Sequence, residues 1–181
     1  MTRMLSLIGY RGTGKSAVGK RLARRLKWDW VDSDTEIERR AQQSIQSIFA
    51  TDGEATFRSL EREVIADLVQ RDRLVLSTGG GAVLNADTRR DLRAAGPVVW
   101  LVAPVPTIAS RILQDGSTTS RRPNLTKQGG IAEIRAVLAA REPLYSECST
   151  IVVDTDGLKL GEVVTRVLEL LPADLVQEVQ P

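Results

Sequence analysis

Residues 4–16 read Met4-Leu5-Ser6-Leu7-Ile8-Gly9-Tyr10-Arg11-Gly12-Thr13-Gly14-Lys15-Ser16. The first five form a short apolar run of the kind a buried strand needs, and Gly9 stops it. Gly9 to Ser16 then fits the spacing G-x-x-x-x-G-K-S/T in full. Chemistry explains these residue types. Glycines let the backbone curl until successive N–H groups converge on phosphate oxygens. A helix starting at Lys15 directs its N-terminus at the same anion. Lys15 reaches the β- and γ-phosphates, and Ser16 offers its hydroxyl to Mg²⁺. Gly12, Thr13, Gly14, Lys15, Ser16 and Ala17 are therefore the candidate nucleotide-binding residues. The bland alternative is a glycine-rich turn that happens to precede a helix. A strand before the motif and a helix after it argue against that.

The chain on either side alternates apolar runs with helical periods. Residues 15–26 read as a helix with Val18, Leu22 and Leu26 on one face, and 28–31 as a strand ending at Asp32-Ser33-Asp34. Residues 35–50 are helical with a break near 42–44, and 54–71 form a helix with Phe57, Leu60, Val64, Ile65 and Leu68 at helical spacing. Strands follow at 74–77, 98–102 and 150–153, with helices at 86–95, 106–114, 131–145 and 159–171. Short apolar strands separated by helices predict an α/β protein: a five-stranded parallel sheet between two helical layers. Ligands of such sheets bind at the carboxyl ends of the strands. Residues 9–16, 32–34 and 79–81 all fall at such ends.

Composition narrows the chemistry. The 181 residues include no His and one Cys, Cys148. Ser-His-Asp and Cys-His catalysis, His-ligated zinc and an intrachain disulfide are excluded, and a reducing cytoplasm is the expected setting. Acid–base work falls to carboxylates, Lys, Tyr or the substrate. Lys plus Arg is 25 against 23 for Asp plus Glu, a near balance that argues against a nucleic-acid coat. The longest apolar stretch, 94–106, is shorter than the ~20 residues of a spanning helix, so no membrane association is expected.

Asp32 and Asp34 flank Ser33. If strand geometry persists, the two carboxylates face one side about 6.5–7 Å apart. That is too far for both to grip one Mg²⁺, so divided roles follow: one near the metal, one near an acceptor hydroxyl. The strand at 74–77 runs into Thr78 and the glycines with no aspartate of the kind that ends the metal-binding strand of P-loop ATPases, so Asp32 is the best substitute. The competing reading is a helix N-cap at Ser33 or Asp34. Thr78-Gly79-Gly80-Gly81 suits either a ligand pressed on the backbone or a flexible turn. Arg outnumbers Lys 20 to 5. Arg58, Arg111, Arg122 and Arg141 stand at suggestive places, and guanidinium groups hold carboxylates in bidentate fashion. On sequence alone, solvated surface charge is still the default for them. Residues 115–130 are polar and rich in Gly, Ser and Thr, fitting a lid that excludes water or a disordered segment.

Together, Gly9-x4-Gly14-Lys15-Ser16, Asp32-x-Asp34, the stretch 48–58 with Phe57-Arg58, Thr78-Gly79-Gly80-Gly81, Arg121-Arg122-Pro123 and Arg141-x-Pro143-Leu144-Tyr145 resemble shikimate kinase over about residues 4–171. The resemblance implies a fold like that of nucleoside monophosphate kinases. It implies ATP- and Mg²⁺-dependent phosphorylation of the 3-hydroxyl of shikimate, in aromatic amino-acid biosynthesis. It assigns Lys15 and Ser16 to phosphates and metal, Asp32 to the magnesium side, and Asp34 to the shikimate hydroxyls as proposed base. Arg58 and Arg141 clamp the carboxylate, and Gly79, Gly80 and Gly81 line the substrate site. The resemblance matches Arg122, with Arg121 as the alternative, to the lid arginine that reaches the γ-phosphate, and Arg111 to the one that packs on adenine. Lys15, Asp34 and Arg122 are thereby the catalytic candidates. Asn124 departs from the Leu often found after the lid Arg-Pro, 114–120 is longer than in short-lid members, and 172–181 has no counterpart. One domain over 1–181 is expected, with an acceptor-binding segment at about 33–62 and a lid at about 115–130, acting as a cytoplasmic monomer. Two rivals stand beside this reading: another small-molecule kinase such as gluconate kinase, and an ATP-binding regulatory module.

Overall fold

Strands β1 (Met4–Ile8), β2 (Asp29–Asp32), β3 (Leu74–Ser77), β4 (Val98–Val102) and β5 (Ile151–Asp154) form one sheet in the order β2-β3-β1-β4-β5. Every neighbouring pair is parallel. The computed structural model describes residues 3–114 and 130–176. Helices α1 (Lys15–Leu26), α2 (Ser33–Ala41), α3 (Ile45–Thr51), α4 (Gly53–Leu68), α5 (Ala86–Ala95), α6 (Val105–Gln114), α7 (Gly130–Cys148), α8 (Leu160–Leu170) and α9 (Ala173–Val176) connect and cover the strands. The α/β class and the five parallel strands expected from the sequence are both present.

Alternation along β1 explains the layers. Leu5 and Leu7 face α1 and α8 in a core with Val18, Leu22, Val75, Val99, Val163 and Val167. Met4 and Ile8 face the opposite side, packing with Ile65, Leu68, Leu76, Leu92, Tyr145 and Cys148. A strand buried on both faces reads as a continuous apolar run, which is why β1 was legible. Fully burying one such side chain contributes about 1.5–3 kcal/mol.

Boundaries moved where local hydrogen bonding took over. Lys27 adopts the left-handed conformation at the end of α1, and the Trp28 amide returns to the Ala23 carbonyl. Sheet pairing therefore begins at Asp29 rather than at residue 28. The helix expected to reach 71 ends at Leu68, because the amides of Gln70 and Arg71 bond three residues back and tighten the turn before Arg73. The helix expected to stop at 145 runs through Pro143 to Cys148. Burial of Tyr145 and Cys148 favours that extension, and Arg93 donates to the Glu147 carbonyl of its last turn. A short 3₁₀ turn, Ala82–Leu84, and α9 were not anticipated.

Register puts the site together. Leu7 pairs with Ser77, and Ser77 pairs with Asp32. The carboxyl ends of β2, β3 and β1 thus lie in adjacent rows, with 32–34, 79–81 and 9–16 issuing from them side by side.

Candidate active site

The loop after β1 is shaped by backbone that only glycine adopts readily. Gly9 has φ +136°, and a Cβ there would sit 2.5 Å from the Leu101 carbonyl oxygen. Thr13 Oγ1 donates to the Tyr10 carbonyl at 2.8 Å and closes the turn. Lys15 is buried, its Nζ donating to the carbonyls of Gly9 and Tyr10, each at 2.8 Å. No side chain caps α1, so the amides of its first turn remain directed at the concavity of the loop. Gly12, Thr13, Gly14, Lys15, Ser16 and Ala17 thus all belong to one cradle and the first turn behind it.

Asp32 joins this cradle from β2. Ser16 Oγ donates to its Oδ2 at 2.7 Å, while its Oδ1 accepts the amides of Asp34 at 3.0 Å and Thr35 at 3.4 Å. One carboxylate therefore faces the phosphate loop and caps α2 at once. The expected strand geometry of the pair does not hold. Asp32 is the last residue of β2 and Ser33 the first of α2, so the helix turns Asp34 toward the glycine run. Asp32 also takes the capping role that the competing reading gave to Ser33 or Asp34. Mg²⁺ needs hard oxygens, keeps several waters and takes only one or two protein ligands beside nucleotide phosphates. The Ser16 hydroxyl and the Asp32 carboxylate, hydrogen-bonded to each other, are donors of that kind. Among the described residues no three carboxylate or thiol groups cluster into an all-protein cage.

Beside the loop lies a cavity of about 180 Å³. Asp34, Arg58, Gly79, Gly80, Gly81 and Arg141 all line it, together with Tyr10, Arg11, Glu61 and the apolar Ile45, Phe49 and Phe57. Arg58 is fastened on α4: NH1 donates to Glu61 Oε2 at 2.7 Å, while Nε and NH2 reach Glu54 Oε1 at 3.2 and 3.1 Å. Its guanidinium also lies 5.2 Å from the centre of the Phe57 ring. Burial pushes the Glu61 carboxyl above the ordinary carboxylate range, and the Arg58 and Arg141 charges oppose that push. Arg141 enters from α7 and is itself buried.

Main-chain contacts set the glycine run. The Gly79 amide donates to Ser33 Oγ at 2.9 Å, and the Tyr145 hydroxyl donates to the Gly80 carbonyl at 2.6 Å. A Cβ on Gly81 would collide with the Arg58 guanidinium. A Cβ on Gly79 would likewise meet Asp34 Oδ1 at 2.6 Å, so the bare backbone at these two positions leaves Asp34 and Arg58 their places in the cavity wall. Chemically, the cavity has three guanidinium groups (Arg11, Arg58, Arg141), three carboxyl groups (Asp34, Glu54, Glu61) and aromatic walls, which suits a small ring bearing a carboxylate and hydroxyls.

Arg111 is not brought to this cavity. It lies on α6, with NH1 and NH2 donating to Thr155 Oγ1 and O, each at 2.8 Å, just past β5. Residues 115–129, which include Arg121, Arg122 and nearly all of the segment expected as a lid, lie outside the described residues. Sequence reasoning missed Glu61, Tyr10, Arg11 and Tyr145 as cavity or support residues. Glu61 had a signal: it follows Arg58 by one helical turn on α4. Tyr145 had one too, standing a turn after Arg141.

The shikimate kinase family model matches residues 11–172. A shikimate kinase of Rhodopirellula baltica is 37% identical over 173 residues, covering 96% of this chain and 92% of that protein. A solved shikimate kinase from Acinetobacter baumannii, in complex with shikimate, superposes with a TM-score of 0.87 at 35% identity, covering 94% of this chain and 93% of that one. A gluconokinase from Sinorhizobium meliloti shares the fold alone, with a TM-score of 0.59 at 18% identity over 98% of this chain and 93% of that one. With its phosphate loop, its arginine-flanked cavity and this similarity over nearly its whole length, the chain belongs to the shikimate kinase family.

Proposed function

We propose that the chain transfers the γ-phosphoryl group of ATP to the 3-hydroxyl of shikimate, releasing shikimate 3-phosphate and ADP. One observation carries this reading: Asp34, Arg58 and Arg141 line a single cavity with the glycine run, immediately beside the phosphate loop. Arg58 and Arg141 take the acceptor carboxylate, and the apolar walls take its ring. Asp34 orients the hydroxyl and receives its proton as the new O–P bond forms and the β–γ bridging oxygen departs with ADP. Such transfers are loose, so positioning and charge supply most of the rate. Lys15 neutralises charge on the moving group, and Arg122 does so from the lid. Ser16 and Asp32 would hold Mg²⁺, which would supply further neutralisation of phosphate charge. Arg111 flanks the adenine. The segment 33–62 is the acceptor-binding part of a single domain, a reading supported by Asp34, Ile45, Phe49, Phe57, Arg58 and Glu61 all lining the cavity. No helix among the described residues is long and apolar enough to cross a membrane. The same reading has the chain act as a monomer in the cytoplasm, and elution as a dimer on size exclusion would contradict the first part.

A coupled assay of ADP release tests the proposal. MgATP with shikimate should give acceptor-dependent release, chelation of Mg²⁺ should abolish it, and gluconate should not substitute. Shikimate bound but left unmodified would overturn the reading. Phosphorylation of gluconate in its place would favour the rival kinase, and nucleotide binding without acceptor-dependent release would favour a regulatory module.

A further inference from the structure

Arg11 occupies an x position of the phosphate loop, where the binding of phosphate demands no particular side chain. It is nevertheless fixed. Its NH2 donates to Glu133 Oε1 at 3.1 Å, with the two side chains 12% and 0% exposed. A carboxylate that is fully out of water persists as an ion only beside a cation, so this pair is held together by the cost of separating it. The neighbouring Tyr10 packs with Ile134 and Leu138 of α7. Loop and helix therefore meet through an ion pair and an apolar contact, across a separation of 122 residues.

What α7 carries onward gives the contact its meaning. Glu133 is in its first turn. Arg141 enters the acceptor cavity about 12 Å further along the same rod, and one turn later Tyr145 holds the Gly80 carbonyl. A helix transmits displacement along its length, so a shift at Glu133 moves the Arg141 guanidinium relative to the phosphate cradle.

We propose that Arg11 and Glu133 are a positioning pair, which clasps α7 to the phosphate loop and so sets the distance between the phosphoryl donor and the carboxylate clamp. The proposal rests on reading Arg141 as part of that clamp. It makes Arg11 an adaptation of the loop to the acceptor rather than to the nucleotide.

The test is a double-mutant cycle on Arg11→Met and Glu133→Met, with Arg11→Lys alongside, reading kcat, both KM values and Tm with MgATP and shikimate. Each single removes one half of a buried ion pair and should lower Tm. The double variant replaces both side chains by apolar groups of similar volume and should lower Tm by less than the two singles combined. Its KM for shikimate should nevertheless stay raised about three- to tenfold, within the range that coupled residues show. Arg11→Lys should keep most of the wild-type KM, because one nitrogen makes the contact. A folded double variant with wild-type KM for shikimate would overturn the pair's role, as would a KM change confined to ATP. Failure of the underlying reading looks different. A wild-type enzyme inert toward shikimate, or an Arg141→Ala variant with unchanged shikimate KM, would sink the clamp itself.

Discussion

The three atoms nearest to a methyl group on Gly81 would all belong to the end of the Arg58 side chain. Gly81→Ala should therefore fold, losing no more than a few degrees of Tm as the Arg58 guanidinium gives up part of its bonding to Glu54 and Glu61. Its KM for the acceptor should rise about tenfold while the KM for ATP is unchanged, the pattern expected when one charged contact to substrate is weakened. Steady-state kinetics with each substrate varied would check both parts. Asp34→Asn keeps the shape of the side chain and removes its capacity to take a proton. It should lower kcat by about 10²–10⁴, with nucleotide binding retained in a direct titration; an unchanged kcat would remove Asp34 from proton transfer. Of these two residues, Asp34 was legible from its place beside the phosphate loop. The geometric reason given for it was not right, because the strand ends at Asp32 and a helix carries Asp34 to its position.

At the scale of elements, α2 shows how helix-surface charge is tied to pH. Glu36 accepts hydrogen bonds from Arg39 at 2.8 Å and from Arg40 at 2.8 Å. The Arg39 bond, aided by Arg40 and opposed by partial burial, holds its carboxyl down at about 2, against an ordinary value of 4.5. A folded-state value below the unfolded one means that this contribution is present above about 4.5 and is lost as pH falls toward 2. Glu36→Gln should accordingly lower the urea midpoint at pH 7, and the gap to wild type should close as the titration approaches pH 2. A constant gap would show that the contribution comes from packing instead. The same scale explains the acceptor side. α4 presents Arg58 and Glu61 one turn apart, and α7 presents Glu133, Arg141 and Tyr145 along one side, so two helices deliver most of the charge that faces the cavity. Helical spacing made each set visible within its own helix but left open which helices face each other.

For the whole molecule, the central strand β1 bears on both cores at once. Leu7, fully buried between α1 and β4, should cost about 2–5 kcal/mol when cut to Ala, measured by urea unfolding, with the phosphate loop that follows it losing nucleotide affinity in parallel. Loss of stability with intact affinity would show the loop to be independent of the strand. The α/β class, the strands and the phosphate cradle could be read without coordinates because their causes are local. A strand buried on both faces must be a run of apolar residues, and a loop that wraps phosphate must spend its glycines, lysine and serine within eight consecutive positions. The acceptor cavity was decided elsewhere. Its arginines, its glycine run and the Arg11–Glu133 contact come together only because the strands order as β2-β3-β1-β4-β5 and align their carboxyl ends. Adjacency of that kind arises from packing between segments far apart in the chain, and no spacing within any one of them encodes it.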